Sequence, residues 1–235
     1  MSSEIKADKW SPASGTSATI GDSGDTYTVP SGVTLDIASG ATADFTGATV
    51  TGISGGLVYV GGVNTTTEAA SIAVDNVFTA TYKNYLMVIE SIRVKSTGGG
   101  IDFNWRTGGA SGVTVTGANY RYALFGYKSN DGGSTFRKGT SGDAMRLTHG
   151  CINDAESVGL SGYFSVSDPF SNRRVRCTGN YGYMADAAGE MRTMTGASEY
   201  RDDIIATGFI FTGFGGTADD DIAELQVKVY GIVNS

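Results

Sequence analysis

Residues 31–52 carry one short phrase nearly three times over, SGVTLDIA, SGATADFT and TGATVTG, and this repeat restricts what the chain can fold into more than any other feature. Its glycines Gly32, Gly40 and Gly47 recur at intervals of eight and then seven residues, the spacing of short strands stacked between tight turns. Within the copies, apolar residues take alternate positions: Val33, Leu35 and Ile37, then Ala41, Ala43 and Phe45, then Ala48 and Val50. Thr34, Asp36, Thr42, Asp44 and Thr49 fill the gaps, so each strand has one wet and one dry face. Burying so few large side chains does not offset the entropy lost in ordering the whole segment. A rotationally symmetric oligomer removes the deficit by turning the dry faces toward a shared axis and pairing open strand edges. Three chains are expected, because three short sheets enclose an axis narrow enough for Val, Ile and Ala to fill. The alternative is an ordinary hairpin meander lying against the larger domain.

The rest of the chain reads as all-β. Its 235 residues hold 35 glycines and only 3 prolines, and Thr, Ser, Val and Tyr are plentiful, a mixture that favours strands and turns. No stretch of ten or more residues keeps a helical stripe. Three regions follow: a peptide at 1–15 with no core of its own, a repeat-containing β stalk at 16–56, and a β-sandwich or jelly-roll-like head at 57–235. The boundary falls near Gly55 and Gly56, where ISGGLVYVGG at 53–62 brings in glycine hinges. In the head, strands are expected at 85–95, 100–107, 120–128, 157–167, 173–179, 203–214 and 224–233, at the spacing of a sandwich. The last is the most regular, with Leu225, Val227, Val229 and Ile232 inward and Glu224, Gln226 and Lys228 outward. Glycine-rich stretches such as SNDGGS and RKGTSGD read as the loops between them.

Charge and composition narrow the function. A net charge of −7 argues against a general nucleic-acid binder. No apolar run is long enough to span a bilayer, and MSSEIKADKW lacks the hydrophobic region of a secretion signal, so assembly in a cytoplasm is expected. Cys151 and Cys177 are too few for a disulfide framework and read as buried free thiols. His149, the only histidine, would have to carry any Ser/His/Asp or Cys/His mechanism, and a structural or exposed role suits it better. His149, Cys151 and Cys177 lack a paired zinc-ligand motif. Asp219, Asp220 and Asp221 lack the ordered calcium-loop pattern. No catalytic residue, metal or cofactor is therefore expected. A glycan depolymerase would need close acidic pairs, and sequence alone does not set any two of Asp102, Asp131, Asp143, Asp154, Glu156 and Asp168 face to face.

Aromatics give the better lead. Trp105, Tyr120, Tyr122, Tyr127, Tyr181 and Tyr183 flank the glycine-rich loops, and flat rings beside polar loops are a common way to hold sugars or partner surfaces. Each ring taken singly also suits a β-domain core. In the first fifteen residues, Ile5, Lys6 and Trp10 are the side chains suited to docking on another surface.

The phrase EIKADKWSPASGTSATIGDSGDTYTVPSGVTL, over about residues 4–35, resembles the N-terminal module of tail-fibre-like virion proteins of marine tailed bacteriophages, the cyanophage type. The closing Tyr230, Gly231 and Ile232 more loosely resemble the last strand of sandwich head modules in such proteins. The resemblance implies a homotrimer fixed to tail or capsid proteins through the lead peptide, with the head touching a host surface glycan or protein, and no membrane insertion. The stalk here is very short, about three rungs, which leaves open a stubby tail appendage or a capsid decoration or head fibre. A glycan-degrading tailspike is a further alternative.

Overall fold

The computed structural model describes residues 56–95, 98–148, 159–185, 190–215 and 221–233, all within one compact unit spanning Thr51–Ser235. The attachment residues Ile5, Lys6 and Trp10 lie outside the described residues, as do Val33, Leu35, Ile37, Ala41, Ala43, Phe45, Ala48 and Val50 of the repeat, and His149 and Cys151. The described residues are all-β, with one short 3-10 turn at Gly109–Ser111.

Two antiparallel sheets make up the head. The larger has eight strands in the spatial order β1 (Leu57–Thr65), β13 (Ile222–Ile232), β3 (Asn84–Val94), β9 (Leu160–Ser167), β10 (Arg176–Ala185), β11 (Glu190–Tyr200), β6 (Tyr120–Lys128) and β7 (Ser134–Gly142). The smaller runs β2 (Ser71–Val74), β12 (Gly208–Phe214), β4 (Gly100–Thr107) and β5 (Val113–Thr114), with β8 (Met145–Arg146) also pairing with β4. From β1 to β4, and again from β12 to β13, the chain changes sheet at each step, so β1–β13–β3–β9 stands against β2–β12–β4–β5 in the connectivity of a jelly roll. The other four strands extend the larger sheet beyond β9.

Alternation explains which face is buried. In β13, Leu225, Val227 and Val229 are buried and Lys228 is exposed, as the period-two pattern requires. Ile232 departs from its expected inward position: the same period puts Gly231 inward, beneath the Tyr82 ring, and leaves Ile232 half-buried. Between the sheets lies an aromatic core centred on Phe103. Its ring meets Trp105 edge-on at 4.8 Å, Phe211 at 5.5 Å, and stacks with Phe209 at 5.8 Å and Phe164 at 6.5 Å. Tyrosines enter this core because their hydroxyls find backbone partners there. Tyr120 Oη accepts from the Trp105 N–H at 2.9 Å and donates to the Val115 carbonyl at 3.0 Å. Tyr85 Oη serves both backbone groups of Thr79, at 2.8 and 2.9 Å.

The expected strands at 85–95, 100–107, 120–128 and 224–233 lie within a residue or two of β3, β4, β6 and β13. Others come from segments without a clear apolar alternation. β1 occupies most of the expected hinge at 53–62, β7 runs through the glycine-rich 134–142, and β11 covers 190–200. A glycine in such a strand lacks a side chain to pack, and here an aromatic on the neighbouring strand covers it. Tyr122 lies opposite Gly139, Phe164 opposite Gly179 and Phe214 opposite Gly100. In each pair a Cβ on the glycine would come within 2.3 Å of the facing ring, so the ring occupies the place of the missing side chain.

Cys177, on the inner side of β10, carries a free, buried thiol, which burial pushes up to about 12. Burial also raises the Tyr120 hydroxyl well above its usual range. Both groups stay protonated in the folded head at pH values where the unfolded chain ionises them. Their contribution is therefore constant below the unfolded thiol value and falls as pH rises toward the folded one, by about 1.4 kcal/mol per pH unit for Cys177. Urea unfolding at about pH 8 and about pH 10.5 is expected to show a larger alkaline loss for the native chain than for Cys177→Ala. Equal losses would contradict the buried-thiol account.

Candidate functional site

Four of the six aromatics expected to form a binding cluster belong to the core instead. Trp105, Tyr120, Tyr181 and Tyr183 are each no more than 2% exposed, and the Tyr181 hydroxyl donates to the Leu147 carbonyl at 2.7 Å. They offer nothing to a partner at the surface, because alternation in β4, β6 and β10 turns them into the space between the two sheets. Tyr122 is half-buried over Gly139. Only Tyr127 stands out from the surface, 57% exposed.

Tyr127 belongs to a different constellation, on the face of the larger sheet turned away from the smaller one. Register places the outward side chains of neighbouring strands in rows that cross the sheet. In one row Phe136, Phe125, Thr195, Asn180 and Tyr163 follow one another across β7, β6, β11, β10 and β9. Its three aromatic residues are 43–58% exposed, and Phe125 meets Tyr127 edge-on at 5.3 Å. The next row along the strands is built of small residues: Ala123, Ala197, Thr178 and Ser165 on β6, β11, β10 and β9. The row after that is charged, with Arg121 opposite Glu199 and Glu199 opposite Arg176.

Tall rows beside a short one make a groove that crosses the strands. At its charged side lies a cleft of about 380 Å³, floored by Ala123, Ala197 and Thr178 and walled by Arg121, Glu199 and Arg176. Glu199 holds the wall together, accepting from Arg176 Nε at 2.7 Å and Arg174 Nη1 at 3.5 Å. Arg121 makes no ion pair among the described residues, so its guanidinium retains donors for a ligand. Arg176 also lines a second cleft of about 390 Å³ with Arg173, Arg174, Asp168 and Asp203. Arg174 and Arg176 are thus ion-paired through Glu199, and Arg176 borders both clefts.

Of the carboxylates considered for a hydrolase, Asp102 and Asp131 have structural partners. Asp102 is bonded to Arg146 at 3.2 Å; burial raises its carboxyl, and the arginine opposes that rise. Asp131 accepts from the Gly133 N–H at 2.7 Å in the β6–β7 turn. Asp154 and Glu156 lie outside the described residues. No group of three or more His, Cys, Asp or Glu side chains able to hold a metal occurs among the described residues.

One signal in the sequence separates the two aromatic sets. In YRYALFGYK, Arg121 shares its parity with Phe125 and Tyr127, whereas Tyr120 and Tyr122 share theirs with Leu124. The charged residue marks the outer face, and the rings in phase with it are the exposed ones. Phe136 has no such marker, because STFRKGTSG lacks an apolar alternation and reads from sequence as a loop. No protein-family model matches the chain, and neither a curated protein nor a solved structure matches it.

Proposed function

We propose that the chain is a structural protein of a bacteriophage particle: a homotrimeric tail fibre or appendage, fixed to the virion by its N-terminus and contacting the host surface through its C-terminal head. The observation that carries this reading is the phrase at residues 4–35, which resembles the attachment module of tail-fibre-like virion proteins and runs directly into a repeat with one dry face per strand. The head suits the outward role, since its larger sheet presents an exposed aromatic row beside a groove. The shortness of the repeat favours a second reading, a projection from the capsid shell. Gold-labelled antibody against residues 57–235, applied to intact particles, is expected to mark the tail. Label over the shell would favour the capsid projection, and the absence of label from all particles would contradict both.

A further inference from the structure

We infer that the groove across β6, β11, β10 and β9 binds an uncharged polysaccharide, laid across the strands with sugar rings on the aromatic row and hydroxyls against the Arg121–Glu199–Arg176 wall. The inference deepens the host-contact reading and rests on it for the source of the ligand.

Three features define the ligand. The floor of Ala123, Ala197, Thr178 and Ser165 runs from strand to strand without a tall side chain, so the groove fits an extended polymer better than a compact molecule. Neighbouring strands lie about 4.8 Å apart, close to the advance of one pyranose ring along an extended chain. Phe125 and Tyr163 are separated by three such steps, about 14 Å, and serve as stacking platforms at the two ends of a short run of sugars. Thr195 and Asn180 stand between them, offering hydroxyl and amide groups to the intervening rings.

Charge then selects among polymers. The opposite wall presents donor, acceptor and donor in succession as Arg121, Glu199 and Arg176. Sugar hydroxyls both give and take hydrogen bonds and so satisfy all three. An anionic group cannot donate to Glu199, which stands between the two arginines, and a polycation would meet both arginines.

The test is affinity electrophoresis of the full-length chain in native gels containing hydroxyethylcellulose, dextran or galactomannan, with alginate and dextran sulfate as anionic comparators. At least one neutral polymer is expected to retard the chain. The double variant Phe125→Ala/Tyr163→Ala should weaken that retardation about tenfold or more, and Glu199→Gln should also weaken it, with unchanged thermal unfolding in both. The inference is overturned if no neutral polymer retards the chain, if the anionic polymers bind more tightly, or if the variants bind like the native chain. It is also overturned if the double variant lowers the native mass, because the groove would then hold another copy. Competition with particle adsorption separates this inference from its premise. A double variant that blocks adsorption as well as the native chain sinks the groove and leaves host contact standing. A native chain that binds a neutral polymer through the groove yet never blocks adsorption does the reverse.

Discussion

Phe103→Ala is expected to destabilise the head by about 3–5 kcal/mol, the range for removing a large aromatic from a packed core. Phe103 is 1% exposed and touches four other rings across both sheets. Truncation removes its own burial and strips a contact from each of those rings, and β-sheet backbones held by ladders on both sides cannot collapse to fill the void. Phe125→Ala provides the internal contrast. That ring is 43% exposed on the outer face, where truncation is expected to change stability by no more than about 0.5 kcal/mol. Urea unfolding followed by circular dichroism distinguishes the two. Similar losses for both variants would mean that the inner and outer faces of β4 and β6 are wrongly assigned.

Ile37→Asp combined with Phe45→Asp is expected to convert the proposed trimer into a monomer while leaving the unfolding of the head unchanged. In a three-fold assembly each substitution is made three times around one axis, so the pair places six carboxylates where apolar side chains are expected to meet. An ionised carboxylate removed from water without a partner costs several kcal/mol, and neighbouring like charges add to the cost. The combined penalty exceeds what a short, three-rung repeat gains by association. Sedimentation velocity at micromolar concentration reads the outcome directly, and a variant that keeps the native mass would remove the repeat from the interface.

The strands legible in the sequence were those in which burial alone dictates residue type. β13 and β3 alternate strictly over most of their length, and apart from Gly231 and Ser91 their buried positions are Val, Leu, Ile, Met and Tyr. β7 and β11 were illegible because their inward positions include Gly139 and Gly196. For Gly139 the apolar cover is supplied by Tyr122, which belongs to another strand, and a pattern read along one strand cannot register a ring donated by its neighbour. The site was misread for a related reason. Tyrosine fits both core and surface, so a cluster of tyrosines near loops does not by itself reveal its direction. Tyr120, Tyr181 and Tyr183 turned inward, whereas Phe125, Phe136 and Tyr163 met in one row only through the register of four strand pairs. The groove depends on that register twice over, since a slip of one residue would exchange its aromatic wall for core side chains.

Native mass measured by light scattering on the purified full-length chain tests the account most directly. The account predicts three times the 24.4 kDa of one chain, held at concentrations down to the micromolar range. A single species of 24.4 kDa under the same conditions would contradict it.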